Sequence, residues 1–423
     1  MWTTCESRNL PGPDMNSPQH LIHCDLLVDG LGRWSAPGAV LFQGDAVIAT
    51  GTPTELGTPL EAHFDRLDGA AIMPGLVNAH AHLDLSLIGP LDGVEDFTEF
   101  AGVVMAHRPL EDRVIAEAMN RGISQSRAGG TLAIGDIAGG WSLQQFASLQ
   151  GSPLIGVSFL ELLAIGSGQD EGLRRVAELL EGVQVDAHGV RLGLQPHAPY
   201  SCSRQAYQWC ASQGLPLSTH LAEMPEEEQF IRHGSGMFAS YLQKIGRLDA
   251  PPTGLGISPI EFVLDAVPSV PLIAAHVNHP SEEDLGLLAD SSITVAYCPR
   301  ASSFLGHDQH QWSTMAGLGI SVALGTDSVL CTGRDDRLSI LDEMQLLHQR
   351  HGTSMEELMP MATINGARAL GLPIARWTLE DATINDLLVL GSPRGFARPV
   401  DCLERSVSIQ WLAEDRSLKR ETT

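Results

Sequence analysis

Pro74-Gly75-Leu76-Val77-Asn78-Ala79-His80-Ala81-His82 sets a short apolar run directly against two histidines spaced two apart. Leu76–Ala79 reads as a buried strand. A strand places alternate side chains on one face, so His80 and His82 leave it pointing the same way. Taken alone, H-x-H is a weak signal, equally at home on an ordinary strand end. It gains weight because the same arrangement, an apolar run closed by a polar side chain, recurs along the chain.

Eight such runs can be read: Leu76–Ala79, Thr131–Ile134, Leu154–Phe159, Val190–Leu194, Leu215–Thr219, Val270–Ala275, Ile293–Tyr297 and Ile320–Leu324. Amphipathic stretches lie between them, among them Arg113–Arg127, Gly172–Leu180, Gln205–Ser212, Glu282–Leu288 and Leu338–Arg350. Nearly uncharged strands alternating with helices imply a parallel sheet covered by helices. Eight units over ~250 residues favour an α/β fold of the closed (β/α)8 type. An open doubly wound sheet would carry a glycine-rich phosphate loop after its first strand, and none follows Leu76–Ala79.

The flanks differ. Before the barrel come the strand-like runs Leu21–Val28, Gly38–Phe42 and Asp45–Thr50, with no helix pattern until after His82. After it come Asp386–Leu390 and Ser406–Trp411, too few to build a domain alone. The expected organisation is a loose leader at 1–20, a discontinuous β-sandwich domain from 21–72 plus 373–413, a barrel over 73–372, and a tail at 414–423.

The chain has 423 residues, 43% of them hydrophobic, enough for a large core. Lys+Arg 26 against Asp+Glu 51 leaves a net charge of −25. Such a surface repels phosphate backbones and anionic lipid, so neither nucleic acid nor a membrane is an expected partner. Cysteines 5, 24, 202, 210, 298, 331 and 402 are dispersed, with no C-x-x-C pair. They read as reduced thiols of a cytoplasmic protein. No apolar stretch reaches ~18 residues, and residues 1–20 contain no signal-peptide core. A homodimer is the expected assembly.

The C-terminal strand ends of such a barrel form its active face, and this is where the remaining polar residues fall. His197 follows the fourth run, His220 closes the fifth, His276 ends the sixth and Asp327 ends the eighth; Glu161 stands at the third. Glu223 lies three residues beyond His220, close enough to reach a water at the same site. A solvated charge is its alternative, since Glu226, Glu227 and Glu228 follow. Asp327 could instead cap a following helix, a task open to Ser328 as well. Three histidines and a carboxylate from strand ends make a divalent-metal site with an open position. Lys244 is the sole lysine before the tail, so no strand-end lysine is placed to bridge two ions, and one metal is expected.

The segments PGLVNAHAHLDLS, LQPHAPYS, STHLAEMPEEE, AAHVNH, VALGTDS and MATINGARALGL resemble the amidohydrolase superfamily, and within it the aminohydrolase (deaminase) branch. The resemblance implies one Zn²⁺, or alternatively Fe²⁺, held by His80, His82, His220 and Asp327. It assigns the shuttling acid to Glu223, an orienting role to His276 and a substrate contact to His197. HLDLSLIGPL and the stretch from Cys298 to His307 look most like aminofutalosine deaminases of an alternative menaquinone pathway. Methylthioadenosine/S-adenosylhomocysteine deaminases come next. Two stretches depart from the family pattern: LEDATINDLLVL lacks its glycine-rich turn, and Cys331-Thr332-Gly333-Arg334 is unlike its usual sequence after the strand-eight motif.

The expected reaction is hydrolytic deamination of a 6-aminopurine nucleoside, with aminodeoxyfutalosine as a candidate and ammonia as product. Glu161 is expected to hold ribose hydroxyls and Arg300 to pair a substrate carboxylate; Ser303 and His307 are further candidate contacts. Asp84 to Val104 and Met224 to Gly256, the long excursions after the first and fifth runs, are expected lids. The alternatives are a hydrolase of another amino- or chloro-substituted heteroaromatic (guanine, cytosine or triazine type) and a scaffold without activity. A scaffold would be expected to have lost one of the six site residues, and all six are present.

Overall fold

The computed structural model describes residues 17–59, 61–94, 97–184, 186–187, 189–250, 252–333 and 337–415. The expected leader up to residue 16, the tail from residue 416, Cys5 and Arg334 lie outside the described residues.

Eight parallel strands form the barrel: Leu76–Ala81, Thr131–Ala138, Ile155–Leu162, Val190–Pro196, Ser218–Leu221, Leu272–His276, Ile293–Tyr297 and Ser321–Leu324. They pair in chain order within two arcs. Two parallel bridges join the arcs, Leu194 with Leu217 and Ala81 with Asp327. At the second seam the amides of Thr326 and Asp327 both donate to the His80 carbonyl, each at 3.1 Å. Closure therefore runs through the residues that carry the polar side chains.

Each strand lies within a few residues of its apolar run, and five of them (the first through the fifth) extend two to four residues beyond it at the C-terminal end. The extension has a simple cause. Polar residues such as Glu161 and His80 end the hydrophobic pattern, but their backbones still find ladder partners inside the barrel. Five helices start where a serine satisfies a free amide: Ser203, Ser258, Ser281, Ser339 and Ser354 each accept a bond from the third amide beyond.

A seven-stranded sheet takes strands from both ends of the chain. Its order is Ser408–Trp411, Leu387–Gly391, His63–Pro74, Gln19–Val28, Gly38–Gln43, Ala46–Gly51, with Trp34–Ser35 beside Gln19–Val28. His63–Pro74 was not legible as a strand because its first half, His63-Phe64-Asp65-Arg66-Leu67-Asp68, is mostly polar and exposed. The absence of helix before His82 also needs correction. Pro53–Leu56 forms one helical turn, closed by a reciprocal Thr52–Glu55 capping box.

Gly75 is the only residue between His63–Pro74 and the first barrel strand. A Cβ there would lie 2.6 Å from Leu132 Cβ and 2.9 Å from the Trp411 ring, so glycine lets sheet and barrel touch. Trp377, fully buried, donates its indole N–H to the Gly75 carbonyl at 2.7 Å and accepts from the Gly30 amide at 2.8 Å. Burying roughly 200 Å² of aromatic surface contributes about 5 kcal/mol before entropy, which makes Trp377 a principal weld of this junction. No helix among the described residues is long and apolar enough to cross a membrane. The six described cysteines are unpaired and buried.

Candidate active site

The first strand delivers His80 into the barrel mouth, and His82 follows at its exit; their ring centroids are 5.0 Å apart. His220 comes from the fifth strand, and its Nε2 lies 3.3 Å from His82 Nε2. Asp327, just past the eighth strand, places Oδ1 3.5 Å from His82 Nε2 and 3.9 Å from His80 Nε2. His276 ends the sixth strand, with Nε2 3.6 Å from Glu223 Oε1. All six are less than 8% exposed. The ligand atoms of His80, His220 and His276 lie within 4.8 Å of one another, as do those of His80, His82 and Asp327. His276 is therefore as close to the cluster as the residues expected to hold a metal.

The chemistry of this donor set fits a divalent cation. Both ring nitrogens of His80 are buried without a hydrogen-bond partner, and an ion at the cluster would satisfy the one that carries the lone pair, a group otherwise costly to bury. Burial holds His80 down to about 3 and His82, His220 and His276 well below the ordinary histidine range. They are neutral at pH 7, the state a ligand needs. His220 Nδ1 sits 3.1 Å from the His197 carbonyl, a contact that places its proton there and frees Nε2. Burial raises the acids: Asp327 to about 7, and Glu223 well above the usual carboxylate range, with the charges of Asp327 and Glu227 adding.

Backbone geometry at the strand ends is unusual. Ala222, His276, Val277 and Asp327 all have positive φ, at 46°, 71°, 52° and 57°. Such conformations cost of order 1 kcal/mol or more each and need outside support. Glu227 supplies it at the fifth strand. Its carboxylate, fully buried, accepts from the amides of Glu223 (2.7 Å), Ala222 (3.0 Å) and Met224 (3.3 Å). Asn278 Nδ2 donates to the Glu223 carbonyl at 3.1 Å. His310 Nε2 lies 2.8 Å from the His276 carbonyl. The view of Glu223 and Glu227 as solvated charges is thereby excluded. Glu227 could have been found from sequence, because it stands at the third position of the helix Pro225–His233, where a carboxylate folds back on the preceding amides.

A cavity of about 470 Å³ opens from this cluster, within the range of small-molecule sites. Its wall is aromatic: Tyr200 stacks on Phe238 at 3.8 Å between centroids, and Phe97 meets Phe238 edge-on. The helices Phe97–His107 and Met237–Lys244, from the two long excursions, form much of that wall. They touch through Thr98 Oγ1 to Met237 Sδ (3.0 Å) and Tyr241 Oη to Met105 Sδ (3.2 Å).

Glu161 and His197 both line the cavity, 3.9 Å apart. Arg108 joins them and was not foreseen. Its guanidinium bonds Asp84 at 2.8 and 3.3 Å and Glu161 at 2.9 Å. A Cβ on Gly139 would sit 1.9 Å from its Cζ. Removing one partner of such a buried cluster leaves charge uncompensated, so Arg108→Met is expected to lower stability by about 3–5 kcal/mol. Urea unfolding checks this; an unchanged midpoint would mean that Asp84 and Glu161 find other partners.

Three expected contacts are not brought to the cavity. Arg300 pairs with Glu343, Nε to Oε1 at 2.5 Å, while its amide donates to Glu343 Oε2 at 2.9 Å. It joins the helices Pro299–Phe304 and Ile340–His351 instead of pairing a substrate carboxylate. Ser303 Oγ donates to the Pro299 carbonyl at 3.0 Å and contacts Arg350. His307 lies between His279 (3.1 Å) and Met224 Sδ (3.2 Å). None is among the described residues lining the cavity.

The model of the amidohydrolase family matches residues 71–375. The chain is 30% identical over 370 residues to the aminodeoxyfutalosine deaminase of Deinococcus radiodurans, covering 83% of this chain and 85% of that one. It is 26% identical over 387 residues to the 5-methylthioadenosine/S-adenosylhomocysteine deaminase of Pyrococcus furiosus, covering 85% of each. The Helicobacter pylori aminofutalosine deaminase, solved with methylthio-coformycin, shares the fold with a TM-score of 0.76 at 21% identity, over 92% of this chain and 97% of that one. With a match spanning the barrel and the histidines at its mouth, this chain belongs to the amidohydrolase family.

Proposed function

We propose that this protein is a metal-dependent hydrolytic deaminase of a 6-aminopurine nucleoside, with aminodeoxyfutalosine the first substrate to test. The observation that carries the reading is the pair of buried carboxylates, Glu223 and Asp327, beside one imidazole cluster at the end of an aromatic cavity. The relation to the Deinococcus radiodurans deaminase supports the choice of substrate.

His80, His82, His220 and Asp327 would hold the cation, and three imidazoles with one carboxylate suit Zn²⁺. When bound, it supplies Lewis-acid activation of the attacking water near neutral pH. Glu223, kept protonated by burial, donates to the ring nitrogen beside the amino-bearing carbon and makes that carbon electrophilic. Asp327 accepts a proton from the water as its oxygen bonds to that carbon, and His276 orients the water. The carbon–nitrogen bond to the amino group then breaks. Of the two water protons, one ends on the ring nitrogen and one on the departing ammonia. Glu161 and His197 would hold the nucleoside's hydroxyls and ring, and Tyr200 and Phe238 cover its apolar faces.

Ammonia release by Zn-loaded protein across a panel of 6-aminopurine nucleosides, aminodeoxyfutalosine included, tests the reading. Turnover of at least one member is expected. No turnover of any member at full metal occupancy would overturn the nucleoside assignment and direct the search to other amino- or chloro-heteroaromatics.

A further inference from the structure

Away from the barrel mouth, two parallel strands of the seven-stranded sheet bring His20, His63 and Asp65 together. His20 is the direct register partner of His63, and Asp65 lies two residues beyond His63. With a side-chain period of two, all three project from one face. His20 Nε2 is 2.8 Å and His63 Nε2 3.2 Å from the same atom, Asp65 Oδ2. The two rings stand 5.0 Å apart between centroids, tilted by 50°. The three ligand atoms all fall within 4.8 Å of one another.

These spacings suit a common ion. Bonds of ~2.0–2.1 Å opening at tetrahedral to right angles put ligand atoms roughly 2.8–3.4 Å apart. The His20 and His63 contacts to Asp65 are already close to that edge length, so little movement is needed to admit a cation. Two imidazoles and one carboxylate favour zinc-type transition ions over calcium or magnesium, which prefer all-oxygen shells. His63 is 42% exposed, against 17% for His20 and 15% for Asp65. One side of the group is therefore open to solvent, for entry of the ion and for a water as a further ligand. The net charge of −25 raises the local concentration of divalent cations.

We propose that His20, His63 and Asp65 form a second site for a zinc-type divalent cation, separate from the catalytic centre. The ion would staple the strand Gln19–Val28 to His63–Pro74. The latter runs on through Gly75 into the barrel strand that carries His80, and the staple would hold its opposite, N-terminal end.

The test uses the full chain with its barrel-mouth site already loaded with Zn²⁺. Zn²⁺ is then titrated in calorimetrically, and Co²⁺ is used in parallel to report ligation through its visible bands. A second equivalent is expected in the wild type, accompanied by a rise in melting temperature. In Asp65→Ala and, separately, His63→Ala, the second equivalent and the rise should vanish, while the first metal equivalent stays in place. No uptake by the wild type beyond the equivalent already loaded would overturn the proposal and leave two N–H···O contacts to Asp65. So would a second equivalent retained in both variants. His63 is the more exposed position, so its variant keeps the test decisive should Asp65→Ala fold poorly.

Discussion

Glu223→Gln is expected to lower kcat by about 10²–10⁴-fold, the usual contribution of a positioned acid–base group, with metal content unchanged. The amide keeps the shape of the carboxyl but has no proton to give the ring nitrogen. Its position should persist, because the loop is held through backbone groups: three amides bond Glu227, and the Glu223 carbonyl accepts from Asn278. Steady-state ammonia release, read beside metal analysis, checks the prediction. A variant with more than a tenth of the wild-type rate would show that another group carries the proton. The paired measurement matters because Glu223 lies beside His276, and a loss of metal would mimic a loss of acid.

Removal of the metal should be of similar size. His220→Ala deletes a nitrogen 3.3 Å from His82 Nε2 and the ring held at the His197 carbonyl. The expected result is metal content near zero and a rate roughly 10³-fold lower or worse, since Lewis-acid stabilisation is worth several kcal/mol. A chelator acting on the wild-type protein should give the same loss, reversed by adding Zn²⁺. Full activity at negligible metal content would sink the assignment of the imidazole cluster. The unpartnered acceptor nitrogen of the buried His80 ring is the structural reason to expect dependence on an ion: a buried acceptor without a partner is tolerated where something else satisfies it.

The two excursions after the first and fifth strands were legible from their length, and their helices Phe97–His107 and Met237–Lys244 line the cavity. Gaps in the reading have identifiable causes. The strand His63–Pro74 was missed because its first half, which Leu387–Gly391 does not reach, is exposed and carries charged residues that erase alternation. Glu227 was read as one of a run of solvated acids, yet it is fully buried, since its neighbours in space are the amides of its own loop. Arg300 carries a charge near the right strand, but Glu343, 43 residues later, claims it.

Strand order and the residues at the barrel mouth were settled by local pattern. Apolar runs of a few residues bury on both faces, each ends in a polar side chain, and a closed parallel barrel directs every C-terminal strand end to one rim. Periodicity and spacing suffice there because the information lies within each segment. The ion network of Arg108 with Asp84 and Glu161, the aromatic wall of Tyr200 and Phe238, and the diversion of Arg300 were decided by folding. Charges and rings pair with whatever the packed helices bring within a few ångströms, and no spacing along the chain encodes which partner that is.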